Sequence, residues 1–498
     1  MLAVEGVIKQ TNLNGRLVSS AVQYKSDNLV VKYIIVLDIV GLELAHLGSN
    51  LLPNISDIAA QGEAAKMEPV FPALTCPVQS SILSGKYPSQ HGIIANGLYD
   101  RTKYEVSFWE QASNLVQTDR IWDILKKTNK SSHSSSSSSS SSIDLPLSSL
   151  KTAVLFWQNT MYAKADLIVT PRPLHFDDGM QMWCYSKPIG FYDDHLKRKL
   201  GEFNLSSYWG PLASSKSSEW ICNAAKYTLE NERPNLTFIY IPHVDYSAQR
   251  FGKKSKQVQE DLKKADDIVG DIVDKTALLG IKDETQFIIL SEYGFNDVNA
   301  AIPLNLRLRE HNLLITRTIN DKEYIDYEYS NAFAMVDHQI AHIYVKEGFV
   351  DQTKKVLEDT QGVDKLLSSQ EKRNLNVDHE RSGELIAVSD RDKWFSYYWW
   401  QVSDKAPSFA RTVDIHRKPG YDPLELFIDL QTKSIPFDTS LVKGSHGRPS
   451  DPRTEEGYSL YVSNRRSFTS STNNPEQRNF NTIDCVRIGQ YLINLVSA

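Results

Sequence analysis

Short apolar runs rich in β-branched residues alternate along this chain with longer segments of helical periodicity. Val31–Leu37, Thr152–Trp157, Leu236–Ile241 and Gln286–Leu290 are apolar at nearly every position rather than at every second one. That pattern belongs to strands covered on both faces, and it predicts buried parallel strands. Tyr458–Val462 predicts a further strand late in the chain. Asn54–Gly62, closed by a glycine, and the IWDILKK stretch within 109–127 predict helices. Ser255–Leu279 places Leu262, Ala265, Ile268, Ile272 and Ala277 on an approximate apolar face and predicts a long helix. Strand–helix alternation of this kind predicts an α/β fold with a mainly parallel sheet. From Asn331 to about Leu430 the pattern changes: strands over Gln339–Val345 and Gly383–Val388 flank a predicted helix over Phe349–Leu367. Residues 331–430 therefore read as an α+β insertion that caps a pocket.

Three stretches lack such a pattern. Residues 1–30 read as a loosely held arm. Residues 131–142 are eleven serines interrupted only by His133; a run that buries no apolar surface predicts a disordered surface insertion, and His133 in it is a chance substitution rather than a ligand. Pro171–Trp209 is rich in aromatics and short of periodicity, which predicts long loops lining the pocket. Trp183, Tyr185, Phe191, Tyr192 and Tyr208 could stack on a substrate ring, although covering the core is their more ordinary role.

Composition narrows the class. A chain of 498 residues can bury a large core, as one domain with insertions or as two. Its net charge of −6 gives no sign of nucleic-acid or membrane affinity. Cys76, Cys184, Cys222 and Cys485 are too few and too scattered for a disulfide framework or a zinc knuckle. The first twenty residues lack the apolar core and small-residue cleavage site of a secretory signal, and no apolar run reaches the roughly 18 residues of a membrane span. A soluble, intracellular protein is the expectation, in which the sequons at Asn54, Asn129, Asn204 and Asn235 carry no meaning.

The chemistry centres on Phe71–Asn96, FPALTCPVQSSILSGKYPSQHGIIAN. Thr75 follows an extended segment, and Pro77 suits a first helical position, so a hydroxyl is placed at a helix N-terminus. Free N–H groups and the helix dipole there stabilise an ionised threonine or a phosphate. A Thr in that place is ordinarily only an N-cap. Downstream, Asn96 could donate a hydrogen bond to an oxyanion. Asp38 ends the first predicted strand, where an acid is either a ligand at the carboxyl edge of the sheet or a cap for the next turn.

The order Thr75-x-Pro77, then Leu83-x-Gly85-x-x-Pro88-x-x-His91-Gly92, then Asn96, resembles the nucleophile segment of the alkaline phosphatase superfamily, in its nucleotide pyrophosphatase/phosphodiesterase branch. Sulfatases of that superfamily carry their modified Cys or Ser in the register of Thr75 and an Arg four positions on. Here Cys76 comes one place late and Gln79 stands where the Arg would be, which disfavours that branch. The resemblance runs in order from Val31 to Val462. It implies an alkaline-phosphatase-like three-layer sandwich, with a core of residues 31–330 and 431–498 and the insertion as its cap. It implies Thr75 as nucleophile, Asn96 as oxyanion donor, and Asp38, Thr75, Asp245, Gln249, Glu292 and His446 at the metal-ligand positions. Three positions depart from the family: it has His where Gln249 stands, and Asp-His where Glu292-Tyr293 stand, Glu292 keeping a carboxylate.

An amide oxygen suits a hard cation better than zinc, and a neutral phenol is a weak ligand. His243 precedes Asp245, and a helical turn there points it elsewhere. Asp337, His338, His342, Asp414 and His416 are the reserve for the missing imidazoles, although each His is more often a hydrogen-bonded core residue. Arg448, beside His446, could hold a phosphate. The resemblance thus implies a metal-dependent phosphodiesterase or nucleotide pyrophosphatase acting through a threonyl-phosphate. Its cofactors would be one or two divalent ions, zinc by resemblance, Mg²⁺ or Mn²⁺ with these ligands. Its partner would be a small phosphoester, nucleotides among the candidates. A phosphonate hydrolase, a phosphomonoesterase, or a binding protein that has lost an ion site are the alternatives.

Overall fold

In a computed structural model of the chain, residues 31–132, 150–176, 179–454, 456–468 and 482–497 are described. The arm over 1–30 lies outside them, as does the Ser-rich run apart from its first two residues, which extend the helix Ile121–Ser132. The chain first lays down strands β1 (Tyr33–Ile39), β2 (Glu63–Glu68), β3 (Thr152–Leu155), β4 (Leu167–Pro171), β5 (Cys184–Lys187), β6 (Leu236–Ile241) and β7 (Thr285–Leu290). It then leaves for a second sheet of β8 (Ala332–Asp337), β9 (Ile340–Val345), β10 (Val363–Leu367) and β11 (Leu385–Ser389), ordered β8-β9-β11-β10. It returns for β12 (Ser459–Ser463) and β13 (Thr482–Asp484). The main sheet runs β13-β2-β12-β7-β1-β6-β3-β4-β5. Its central strands β7, β1, β6, β3 and β4 are parallel. Strands β1, β6 and β7 point almost wholly into the core, as continuous apolar runs require.

Four helices matter for the site: α1 (Thr75–Ser84), α2 (His243–Phe251), α3 (Lys256–Leu278) and α4 (Cys485–Ser497). Ser255 caps α3 through its side chain, at the predicted start. Helix α4 lies against α1 so closely that a methyl group on Gly489 would stand 2.5 Å from the Ile82 carbonyl oxygen. Two apolar cores meet at the segment Phe71–Asn96. Ala73, Val78 and Ile82 belong to the core of the main sheet, with Ile488 and Leu492 of α4. Phe71, Leu74, Ile94 and Ala95 belong to the core of the second sheet.

Some local expectations give way. The helix predicted over Phe349–Leu367 stops at Glu358, and its last residues are strand β10; Gly362, with φ +95°, breaks the helical period between them. The described residues of 171–209 carry regular structure where loops were expected: Leu174–Phe176 pairs with Gly179–Gln181, β5 closes the sheet edge, and helical turns cover Phe191–Leu200. Pro77 is the third residue of α1, not the first. It fits there because N–H groups of a first turn have no partner within the helix. Among the described residues no helix is long and apolar enough to cross a membrane.

Candidate active site

Parallel registry brings three strand ends together. Asp38 lies level with Tyr240 on β6 and Leu290 on β7, so the residues that follow those strands emerge beside it. Thr75 opens α1 over this edge and is buried. Its hydroxyl donates to Glu292 Oε2 at 2.9 Å and lies 3.2 Å from the Tyr293 hydroxyl. One turn along α1, Gln79 Nε2 donates to Asp38 Oδ2 at 3.0 Å, while Gln79 Oε1 accepts from Gln158 N at 2.7 Å. Gln79 thus holds Asp38 in the place where the sulfatase pattern has a cation.

Asp245 and Gln249 lie one turn apart on α2. The Gln249 amide is held at both ends: Nε2 donates to Asp245 Oδ2 at 2.6 Å, and Oε1 accepts from the Tyr421 hydroxyl at 2.8 Å. In this arrangement it steadies Asp245, and one lone pair of Oε1 is taken by Tyr421. His446 Nε2 lies 3.9 Å from Asp245 Oδ1. The His446 ring stacks on Tyr293, centroids 3.5 Å apart and planes 9° apart.

Asn96 joins the segments. Its Oδ1 accepts from Cys76 N at 3.0 Å, and its own N and Nδ2 donate to the Asp337 carboxylate at 2.8 and 3.2 Å. The Cys76 N–H is therefore not the free donor that a helix start suggests. One Asn96 amide hydrogen goes to Asp337 and the second stays available for an oxyanion. Asp337 also receives His338 Nδ1 at 2.7 Å.

Other candidates fall elsewhere. His342 lies between the Ile94 carbonyl and the Gly383 N–H, and His416 on the Phe108 carbonyl. Asp414 pairs with Arg417, and Arg448 with Asp364. His243 faces Ser218 and the Asp261 carbonyl, away from Asp245 as expected. Phe191 and Tyr192 are in the main core, and Tyr208 packs on Phe156 and Phe203. Sequence reasoning missed Tyr421 and Gln158. Tyr421 closes on a residue far away in the chain, and Gln158 acts through its backbone, which no side-chain pattern reveals.

Charge is concentrated and uncompensated. Burial raises the Asp38, Asp245 and Asp337 carboxyls to about 7, and drives Glu292 well up, with Asp38 beside it adding to the effect. Among the described residues the ion pairs of these four carboxylates are with histidine alone. Burial keeps His338 and His446 neutral, well below their ordinary value. Asp38 Oδ1, Glu292 Oε1, Asp245 Oδ1, His338 Nε2 and His446 Nε2 are all buried without a hydrogen-bond partner. Among the buried side-chain atoms of the described residues left without a partner, these five include every carboxylate oxygen and every imidazole nitrogen, acceptors suited to positive charge. Among the described residues no group of three or more His, Cys, Asp or Glu side chains is arranged so that it could hold a metal ion as it stands.

Comparison with known proteins follows the same lines. Residues 34–422 match the family described as type I phosphodiesterase / nucleotide pyrophosphatase. The chain is 25% identical over 279 residues to a bis(5'-adenosyl)-triphosphatase of Pongo abelii, covering 53% of this chain and 48% of the relative. It is 25% identical over 253 residues to ectonucleotide pyrophosphatase/phosphodiesterase family member 1 of Homo sapiens, covering 51% and 22%. The match thus spans less than half the length of these curated relatives. In fold, the chain is similar to phosphonoacetate hydrolase from Sinorhizobium meliloti 1021, with 17% identity, 99% and 100% of the two chains covered and a TM-score of 0.58. It is similar also to murine ectonucleotide pyrophosphatase/phosphodiesterase 5 in complex with AMP, with 14% identity, 93% and 95% covered and a TM-score of 0.56.

Proposed function

Since this chain belongs to the type I phosphodiesterase / nucleotide pyrophosphatase family, we propose that it hydrolyses a phosphodiester or phosphoanhydride through a phosphorylated Thr75, with divalent ions as cofactors. One observation carries the reading: the Thr75 hydroxyl, buried at the start of α1, donates to Glu292 inside a carboxylate cluster that no Lys or Arg of the described residues neutralises. The orphaned acceptors fit divalent ions. Asp38, Glu292 and Thr75 offer only oxygen and would hold a hard cation such as Mg²⁺ or Mn²⁺; Asp245 and His446 would contribute to a second site. When bound, such ions supply positive charge that lowers the hydroxyl pKa of Thr75 and stabilises the phosphoryl oxygens.

The chain's own groups account for the remaining steps. Thr75 Oγ1 attacks phosphorus and forms an O–P bond while the bond to the leaving oxygen breaks; the hydroxyl proton passes to Glu292 Oε2, the acceptor already in place. The remaining Asn96 amide hydrogen meets the charge that develops on the phosphoryl oxygen. Water then attacks the phosphothreonine from the Asp245 and His446 side; the Thr75 Oγ1–P bond breaks, Oγ1 takes back its proton from Glu292 Oε2, the proton lost by the water passes to solvent, and the phosphomonoester leaves. The insertion over 331–430 would select the leaving group, and a small nucleotide is the substrate class proposed, since a fold neighbour was solved with AMP.

The test is hydrolysis of a chromogenic phosphodiester, a monoester and a phosphonate with added Zn²⁺, Mn²⁺ or Mg²⁺, for the wild type and Thr75→Ala. Metal-dependent diester turnover that is lost in Thr75→Ala supports the proposal. A preference for the monoester or phosphonate moves the reading to those hydrolases. No turnover with any ion favours a binding protein.

A further inference from the structure

We infer that His338 is a metal ligand, supplying to the Asp245/His446 site the imidazole that Gln249 does not. The inference rests on the metal-dependent reading above and names the donor that completes it.

His338 lies in the two-residue turn between β8 and β9, where Asp337 pairs with Ile340. Its φ is +59°, a left-handed conformation that outside glycine favours asparagine, aspartate and histidine. The turn is fastened to the site by its backbone: Gln339 N donates to the His446 carbonyl at 3.0 Å, and His446 Nδ1 donates to the Ala73 carbonyl at 2.9 Å. The side chain of His338 is 3% exposed, and its ring lies 3.9 Å from that of His446, centroid to centroid.

The hydrogen bonds settle which nitrogen is free. A carbonyl accepts only, so the hydrogen of His446 is on Nδ1 and the lone pair on Nε2. Asp337 Oδ1 receives His338 Nδ1 at 2.7 Å and leaves the same lone pair. Both Nε2 atoms are buried with no partner, as is Asp245 Oδ1. A carboxylate behind an imidazole whose far nitrogen is unpartnered is the arrangement by which proteins orient a metal-binding histidine. Two imidazoles and a carboxylate suit zinc or a similar borderline ion, unlike the oxygen-only group at Asp38, Glu292 and Thr75. The two rings are tilted by 37°, and His338 also stacks on Tyr421, centroids 3.7 Å apart, so to share an ion the imidazoles would turn within this column of rings, a cost set against the strength of coordination.

The full chain is loaded with one equivalent of Zn²⁺, and the imidazoles on the metal are counted by X-ray absorption; two are expected. Zinc affinity is then titrated for the wild type, His338→Gln, and His338→Gln combined with Gln249→His, each checked for fold by circular dichroism. His338→Gln should weaken zinc binding by at least about 100-fold, the upper end of the loss seen when only a supporting residue is removed. The added Gln249→His should recover at least about tenfold by restoring an imidazole one turn from Asp245. An affinity within about twofold of wild type in His338→Gln, or a single imidazole in the native zinc spectrum, overturns the inference while leaving metal dependence in place. Should the wild type bind no Zn²⁺, Mn²⁺ or Co²⁺, the metal-dependent reading fails and the inference with it.

Discussion

Asp245→Asn should make the metal-free protein more stable, and do so increasingly as pH rises. Burial holds the Asp245 carboxyl at about 7, against an ordinary value of 3.8. An acid raised on folding binds its proton more tightly in the folded state. Its contribution is therefore favourable below pH 4 and is lost as pH climbs through 7. At about 1.36 kcal/mol per pH unit, ionising Asp245 removes about 4 kcal/mol by pH 8 and only about 1 kcal/mol at pH 4.5. The asparagine carries no charge, and its oxygen can still accept from Gln249 Nε2. An unfolding entropy of about 2.1 cal/mol/K per residue over this chain gives about 1 kcal/mol per degree, so the variant should melt about 4 °C higher than wild type at pH 8 in EDTA and about 1 °C higher at pH 4.5. Divalent ions at 100 times Kd stabilise the wild type by about 2.7 kcal/mol and should largely close the gap, because the variant has lost a ligand. A scan of Tm against pH, with EDTA and with metal, decides the matter. A variant no more stable than wild type at pH 8 in EDTA, or a gain equal at both pH values, would refute the claim that this carboxylate is buried without compensation.

Other substitutions separate the roles of neighbouring groups. Glu292→Gln should lower kcat for a phosphodiester by about 10²–10⁴-fold, whereas Tyr293→Phe, which removes one hydrogen bond near Thr75, should cost no more than about tenfold; steady-state kinetics on both compares them. Asn96→Ala leaves the buried Cys76 N–H without its acceptor and removes one of the three hydrogen bonds to Asp337, and should destabilise the protein by about 1–3 kcal/mol in urea unfolding. Lys418 is 1% exposed and bridges Asp422 and Glu425, both at 2.7 Å. Lys418→Met strands those carboxylates and should cost about 3–5 kcal/mol by the same measurement.

The parallel strands were legible because their burial on both faces leaves a continuous apolar run, and Leu236–Ile241 is found at its predicted bounds. The long helix was legible through its stripe and its Ser255 cap. The segment after Glu358 was misread because Val363, Leu366 and Leu367 continue a helical spacing across Gly362, and only the backbone shows that the glycine ends it. That Thr75, Asp38, Asp245 and Glu292 come together could be expected from their order along the chain. What each donor faces could not, since it depends on distant partners: Tyr421 orients Gln249, and Asp337 with the β8–β9 turn orients His338.

The close seating of α4 on α1 has a consequence for biosynthesis. Helix α1 leaves the ribosome early, yet the surface it rests on, with Gly489 against the Ile82 carbonyl, is made last among the described residues. At about 5–20 residues per second, some tens of seconds separate the two. Throughout that interval α1 has the apolar core of the main sheet on one side but lacks the surface that α4 supplies, so its close seating waits on the residues around Gly489.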